Sequence, residues 1–306
     1  MPRKIPLQKP GMVSFDILGT KIGHQTLKAE RTGCTVLIFD KPAVCGVSIT
    51  GAAPGTRETD SLDPTALVNG VDAILLTGGS AFGLASADGV MRYLHEKGRG
   101  FRVRDDNVPI VPGAVIYDRG IGKKSFPSSN DGYRACEGAG YDTPASGQIG
   151  GGTGATVGKW SDRHLPSSGG LSAIVRKFGN LNLGIVIVVN SYGNVVDPAS
   201  GISVSGAKDK SGNIIPFSAK GAAPSPMGNT IIGAIVTDAN LTKSEAKRIA
   251  MAAHDGIARA VYPSHTMYDG DTLFVASTGR KKRDINLLCG FAADITAEGI
   301  LKAVAV

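Results

Sequence analysis

The chain has 306 residues, 42% of them hydrophobic and 19% charged, which is enough apolar material for a large core. No run of 18 apolar residues occurs, so the sequence excludes a membrane-spanning helix, and we expect no membrane partner. The net charge of +7 would suit a nucleic-acid partner, but the dense basic run at residues 280–283 lacks interleaved aromatic residues. We therefore predict a solvated loop there and no nucleic-acid binding.

Glycine-bounded apolar runs predict strands, and longer mixed stretches predict helices. The predicted strands cover residues 35–39, 43–49, 73–76, 114–117, 183–189, 230–237 and 273–277. The predicted helices cover residues 84–97, 243–261 and 285–304. Thr242 and Glu245 have the spacing of a capping box at the start of the second helix. The pattern indicates sheets covered by helices, either α/β or α+β.

The N-terminus and the cysteines both indicate a cytoplasmic protein. Residues 1–6 are basic but no apolar segment follows them, so no secretory signal is predicted. The cysteines stand far apart, without the spacing of a metal site. We expect reduced thiols and no metal; these cysteines are Cys34, Cys45, Cys136 and Cys289.

Several tempting motifs do not fit when their spacing is counted. Gly79-Ser80 resembles a nucleophile elbow, but Phe82 stands where the second glycine belongs. The glycine-rich segment 150–159 resembles a phosphate loop, but Trp160 stands where Ser or Thr is required. The five histidines show no metal-ligand spacing, so each is predicted to be a surface or hydrogen-bonded structural residue.

The pair Asn229-Thr230 carries the most specific chemical signal. It follows a polar, proline-rich loop from Pro216 and opens a predicted strand. If the bond between these residues breaks, Thr230 gains a free α-amine beside its own hydroxyl. With a reference pKa of about 7.7–8.0, that amine can act as the base for the hydroxyl. The pair therefore indicates a self-cleaving hydrolase with an N-terminal threonine nucleophile, although Asn-Thr in a loop is more often structural.

Further polar residues stand at the edges of apolar, glycine-lined segments. Tyr117 and Asn190 follow predicted strands, and Lys159 ends the glycine-rich segment. Asp269 and Asp271 flank Gly270 just before the last predicted strand. Sites are often built from such residues, whereas Asx residues around glycine are also ordinary turn formers.

These segments resemble a known family. Residues 228–237 and 265–274 closely resemble the 6-aminohexanoate-oligomer endohydrolases, or nylon-oligomer hydrolases, within the DmpA-like β-aminopeptidase family. The resemblance extends through residues 78–84, 114–118, 158–159 and 190–193 in consistent order. The first 30 residues and residues 200–225 match poorly.

The resemblance implies an α+β, four-layer αββα sandwich of the N-terminal-nucleophile type. It implies one hydrolase domain over residues 1–306, which cuts itself between Asn229 and Thr230 into fragments 1–229 and 230–306. The fragments are expected to stay associated and to form a homo-oligomer, a tetramer of such heterodimers. No metal and no organic cofactor is implied.

The resemblance also implies roles for single residues. Thr230 would be the nucleophile, with Lys159, Asn190, Asp269 and Asp271 around it, and Tyr117 would lie on the substrate side. We expect the Asn190 amide to face the developing oxyanion. We expect Lys159 to stay charged, anchored by the two carboxylates. The competing interpretation is that one carboxylate binds a substrate ammonium group.

Differences between this chain and the β-aminopeptidases favour one of the activities that the family resemblance implies. β-Aminopeptidases are similar to one another in having Gly-Ser at the cleavage point, with a Ser and a Glu further on, where this chain has Asn229-Thr230, Asp269 and Asp271. That difference favours endo-type hydrolysis of linear aliphatic oligoamides such as 6-aminohexanoate oligomers. The alternatives are a β-aminopeptidase, or L-aminopeptidase/D-esterase, acting on peptides, and an acyltransferase of the ornithine-acetyltransferase type.

Overall fold

A computed structural model describes residues 11–119, 125–221 and 228–305. The basic segment 1–6 and the end of the loop before Gly228 lie outside these residues. In the described parts of the chain, no helix is both long enough and apolar enough to cross a membrane.

The elements are named in chain order. The strands are β1 (Met12–Ser14), β2 (Thr20–Leu27), β3 (Thr32–Ile49), β4 (Thr56–Arg57), β5 (Val71–Thr77), β6 (Phe101–Val103), β7 (Asp106–Val108), β8 (Gly113–Val115), β9 (Asp142–Pro144), β10 (Ser146–Gly147), β11 (Thr156–Val157), β12 (Ser167–Ser168), β13 (Gly170–Phe178), β14 (Leu181–Asn190), β15 (Asn194–Val196), β16 (Ser203–Ser205), β17 (Thr230–Ala239), β18 (Val261–Tyr262) and β19 (Thr272–Lys281). The α-helices are α1 (Ser86–Glu96), α2 (Ser129–Glu137), α3 (Lys243–Ala260) and α4 (Ile285–Val304).

The long strand β3 joins two sheets. Its second half pairs with β19, and the sheet continues through β17, β14, β13 and β10. Its first half pairs with β2 on one side and β5 on the other, and the sheet continues through β8 and β4. All pairs in the first sheet are antiparallel except β17 with β19, which run parallel.

Three buried clusters separate four layers. On β14, Ile185 and Ile187 face α3 and α4, whereas the alternating residues Val186 and Val188 face the second sheet. This alternation is the period of a strand buried on both faces. The third cluster lies between β3 and β5 and the helices α1 and α2. The expected αββα sandwich is therefore confirmed.

Local sequence explains several element ends. Thr242 and Glu245 form the predicted capping box of α3, with both reciprocal hydrogen bonds present. Ser128 and Asp131 form a second capping box that starts α2, a helix that the sequence analysis did not predict. Strands β2 and β13 were also not predicted, because polar side chains interrupt their apolar pattern.

Two predictions about local structure are corrected. Residues 35–49 belong to one continuous strand with an irregular register between Ile38 and Ala43, not to two strands. The basic run is not wholly a loop, because β19 extends to Lys281. The Lys281 ammonium group contacts Asp238 at 2.6 Å, so part of the positive charge is neutralised within the sheet. All four cysteines are free, as predicted; Cys34, Cys45 and Cys136 are buried, whereas Cys289 is partly exposed.

Helices α3 and α4 pack closely at Gly256. A Cβ atom at this position would come within 2.2 Å of the Ala293 carbonyl oxygen, whereas one at Gly290 on α4 would meet no atom within 4 Å. We expect Gly256→Ala to lower the free energy of unfolding by about 1–3 kcal/mol through overpacking. Gly290→Ala should leave it unchanged or raise it slightly, because alanine favours helices. Urea unfolding of both variants tests this, and equal stability of the two would contradict the packing.

Candidate active site

Thr230 lies at a junction of strands. It is the first residue of β17 and stands opposite Asn190, the last residue of the antiparallel neighbour β14. The residue before it, Asn229, is 1% exposed, and Thr230 itself is 5% exposed. The bond between Asn229 and Thr230 is therefore held inside the protein, at the start of a central strand of the first sheet.

The segment Asp269-Gly270-Asp271 runs alongside this bond. Because β17 and β19 are parallel, the residues that lead into each strand become neighbours, and Asn229 forms a bridge with Asp269. The Gly270 amide N–H donates to the Asn229 carbonyl oxygen at 2.9 Å, and the Ile231 amide donates to Asp271 Oδ1 at 2.8 Å. Two hydrogen bonds thus fix the Asp-Gly-Asp segment against the two residues that flank Thr230.

The Thr230 hydroxyl contacts the same carbonyl. Thr230 Oγ1 donates a hydrogen bond to the Asn229 carbonyl oxygen. Gly270 leaves space for this hydroxyl, because a Cβ atom at Gly270 would lie 2.9 Å from Thr230 Oγ1 and 2.5 Å from the Ala53 carbonyl oxygen. The hydroxyl and one backbone donor therefore converge on a single carbonyl group.

Asn190 and Lys159 lie on the other side of Thr230 from the Asp269-Gly270-Asp271 segment. Asn190 Oδ1 accepts from the Thr156 amide at 3.0 Å and from Lys159 Nζ at 2.8 Å. With its oxygen so engaged, Asn190 Nδ2 donates to the carbonyl oxygens of Gly228, at 3.0 Å, and Tyr117, at 3.3 Å. The Asn190 amide therefore faces the carbonyl of residue 228, whereas the Gly270 amide donates to the carbonyl of residue 229.

The charge on Lys159 differs from the prediction. The lysine Nζ has three oxygen acceptors, the Asn190 side chain and the backbone carbonyls of Asn190 and Gly228, at 2.8–3.2 Å. These contacts favour the ammonium form, but burial lowers the pKa of Lys159 to about 7, even though Asp269 and Asp118 oppose the shift. Both forms are populated at neutral pH, so the expectation of a permanently charged lysine is wrong.

The two carboxylates do not anchor this lysine. Asp269 Oδ1 accepts from the Tyr192 amide, and its Oδ2 accepts from the Thr266 amide and hydroxyl. Asp271 bonds to the Ile231 amide and to His265. Among the described residues, no ion pair joins Lys159 to either carboxylate. Burial raises the pKa of Asp269, and the neighbouring Asp271 adds to the shift. The predicted ionic anchor is therefore replaced by two separate hydrogen-bonded groups.

Tyr117 lies at the open side of the site. It follows β8 of the second sheet and is 44% exposed. Its ring packs on Gly228, where a Cβ atom would lie 2.7 Å from a ring carbon and where the backbone has a φ of +140°. The next residue, Asp118, is buried and accepts from the Gly79 amide at 2.7 Å. Tyr117 thus borders the segment that leads to Thr230, in a position that incoming molecules can reach.

The sequence analysis missed two members of this group. His265 was predicted to be a surface or hydrogen-bonded structural residue; its Nδ1 lies 2.7 Å from Asp271 Oδ2, so its hydrogen bond belongs to the site itself. Gly270 was treated as a turn residue, but its amide contacts the carbonyl of residue 229. Neither has a signal in a spacing pattern, because the Gly270 contact depends on the parallel pairing of β17 and β19, and the His265 contact depends on the conformation of the segment that leads into β19. The other predicted site residues do come together around Thr230.

Comparison with known proteins shows the family to which the chain belongs. The sequence profile of peptidase family S58 matches residues 15–306. The chain belongs to peptidase family S58. A protein of Mycobacterium tuberculosis, named an uncharacterized aminopeptidase, is 42% identical over 284 residues, covering 86% of this chain and 80% of the relative. The chain is thus an enzyme of a family that hydrolyses amide bonds.

Two further proteins resemble the chain at lower sequence identity. A 6-aminohexanoate-oligomer endohydrolase of a Kocuria species is 28% identical over 329 residues, covering 98% of this chain and 88% of the relative. The solved structure of a β-aminopeptidase from a Burkholderia species has a TM-score of 0.72 at 22% identity, covering 98% of this S58 chain and 88% of that one. The structural likeness supports the fold described above.

Proposed function

We propose that this S58 protein is a self-cleaving amide hydrolase whose nucleophile is the N-terminal Thr230 of fragment 230–306. The observation that carries the proposal is the convergence on one carbonyl: the Thr230 hydroxyl and the Gly270 amide both contact the Asn229 carbonyl oxygen. A hydroxyl beside the carbonyl and a backbone donor on its oxygen are what attack on that carbonyl requires.

Self-cleavage proceeds in two steps, transfer of the Asn229 acyl group from nitrogen to the Thr230 hydroxyl and hydrolysis of the resulting ester. Thr230 Oγ1 bonds to the Asn229 carbonyl carbon, its proton passes to the neutral Lys159 amine, and Gly270 stabilises the oxyanion. The carbon–nitrogen bond then breaks, and the departing nitrogen takes that proton from the Lys159 ammonium to become the Thr230 α-amine. Water hydrolyses the resulting ester, which releases the Asn229 carboxylate and restores the hydroxyl. Fragments 1–229 and 230–306 result.

Substrate hydrolysis reuses the same groups. The new α-amine takes the proton of the Thr230 hydroxyl as it attacks a substrate amide and passes this proton to the amine that departs when the carbon–nitrogen bond breaks. Water then hydrolyses the acyl ester and restores the hydroxyl. Departure of the segment that ends at residue 229 removes the Gly228 carbonyl from Asn190 Nδ2, a donor to it in the uncut chain. Asn190 and Gly270 then become the donors for the substrate oxyanion, and Tyr117 borders the entrance.

The proposed substrates are linear aliphatic oligoamides such as 6-aminohexanoate oligomers. The 28% identical relative named for this activity and the Asn-Thr, Asp and Asp residues at the site support this choice. A further argument is that Asp269 and Asp271 have hydrogen bonds on all their oxygens and are each 1% exposed. Neither is disposed to bind a substrate ammonium group, which an aminopeptidase requires.

A second candidate function is aminopeptidase activity. It is favoured by the relative that is 42% identical and named an aminopeptidase. Under this alternative, an acidic group other than Asp269 and Asp271 would bind the substrate amine. Parallel assays on both substrate classes separate the two functions.

The substrate class is tested by the release of primary amines. We expect wild-type enzyme to cut linear 6-aminohexanoate oligomers, and Thr230→Ala to lose at least about 10³-fold in rate because the nucleophile is gone. Thr230→Ser, which keeps a hydroxyl and the amine, is the matched control and should retain activity. Hydrolysis of aminoacyl amides without cleavage of the oligomers would instead support the second candidate. Inactivity on both classes would refute the proposed substrate.

The role of Lys159 in self-cleavage is tested by pH. Because burial lowers its pKa to about 7, the amine is mostly neutral above that pH and protonated below it. The rate of cleavage of freshly synthesised precursor should therefore fall about tenfold per unit as pH drops below 7. Lys159→Arg keeps a positive charge but cannot give up its proton, so it should block cleavage as fully as Lys159→Met. Cleavage of the arginine variant at the wild-type rate would contradict this role.

A further inference from the structure

His265 stands directly behind the site. Its Nδ1 lies 2.7 Å from Asp271 Oδ2, and since a carboxylate oxygen only accepts, Nδ1 carries the donated proton. The other oxygen of the same carboxylate holds the Ile231 amide at 2.8 Å. One carboxylate therefore connects the imidazole to the residue that follows the nucleophile.

The backbone at His265 is held in an uncommon conformation. Its φ is +54°, in the left-handed region that residues other than glycine seldom adopt. The side chain is 18% exposed, and its Nε2 is buried without a hydrogen-bond partner among the described residues. The surrounding fold thus aims this imidazole at Asp271, and the His254 backbone carbonyl adds a second, smaller contribution that raises the pKa of His265.

The neighbours of His265 leave the Asp271 interaction dominant. The His254 ring of α3 packs against it at 5.0 Å between ring centroids. His254 Nε2 lies 3.1 Å from the Ser48 carbonyl, so this nitrogen is the donor, and burial lowers the pKa of His254 and keeps it neutral. The remaining charges nearby are the carboxylates of Asp269 and, beside His254, Asp255. Burial lowers the pKa of His265, but the hydrogen bond and attraction of Asp271 more than offset this, so the net shift is upward.

Self-cleavage would place a new charge beside this pair. The Thr230 nitrogen is three covalent bonds from the Ile231 nitrogen, at most about 4 Å away. Asp271 Oδ1, 2.8 Å from the Ile231 nitrogen, is then within about 7 Å of the new amine. A bare carboxylate there would favour the ammonium form of Thr230, which is useless as a base.

We propose that His265 is a positioning residue whose imidazolium holds Asp271 against Ile231 and offsets its negative charge, so that the Thr230 amine stays a usable base at neutral pH. This inference rests on the proposed function, because it requires the cleaved chain. The Asp271 carboxylate and the two cationic groups, His265 and the Thr230 ammonium, then form one coupled set, in which each cation lowers the proton affinity of the other.

The first test needs no change at His265. The pKa of His265 is measured by NMR of ¹³C-labelled imidazoles in mature wild-type protein and in uncut Thr230→Ala, with His265→Asn used to assign the signal. We expect the mature protein to show a pKa lower by at least about half a unit, since the new ammonium competes for Asp271. Equal values in a wild type that has been cut would overturn the inference alone. A wild type that remains one chain would instead sink the proposed function, and this inference with it.

The second test is the pH profile of amide hydrolysis. His265→Asn keeps an N–H donor near the position of Nδ1 but cannot carry the charge, so the acidic limb of kcat/KM should move to higher pH by at least about half a unit. His95→Gln is the matched control, because it removes an exposed histidine that pairs with Asp106 at 2.7 Å, and its profile should match wild type. A lower rate at every pH without a shift of the limb would mean that His265 is merely structural, and would overturn the proposal. If His265→Asn stays uncut, the NMR comparison alone decides.

Discussion

The parallel pairing of β17 with β19 is the constraint on which the site depends. It brings the entry to β19, Asp269-Gly270-Asp271, alongside the residues on either side of the Asn229–Thr230 bond. Antiparallel pairing with β14 then sets Asn190 opposite Thr230. Both pairings are held by strands whose two faces are buried, one against α3 and α4 and the other against the second sheet. A shift of one residue in either register would move each side chain of a strand into the opposite cluster, where the packing is shaped for other side chains, so the core fixes the site.

Burial gives the polar groups of the site their chemistry. Lys159 sits among carbonyl oxygens, yet its pKa falls to about 7 because water is excluded, and burial likewise raises the pKa of Asp269. A lysine in water would be fully protonated and unable to accept a proton at neutral pH. The same exclusion of water strengthens the attraction between His265 and Asp271. Lys159, which would be an ordinary ammonium group at the surface, is thereby able to exchange a proton near neutrality.

Much of the layout follows from local sequence, and the remainder depends on contacts between distant segments. The aliphatic runs of β14 and β17 and the capping box of α3 are readable because period and capping are local properties. The position of Thr230 at the start of a strand was predicted in the same way. The Gly270 contact with Asn229, the His265 contact with Asp271 and the shifted pKa of Lys159 were not predicted. The first depends on which strands become neighbours, the second on the conformation of the segment that leads into β19, and the third on burial, and no spacing along the chain encodes these.

The central claim is that the protein cleaves its own chain between Asn229 and Thr230. Mass spectrometry of the intact, purified protein after ageing at neutral pH tests it most directly. The account predicts two species whose masses correspond to residues 1–229 and 230–306, and a single species of full mass for Thr230→Ala. A wild-type protein that keeps its full mass while hydrolysing amides, or that breaks at any other bond, would contradict it.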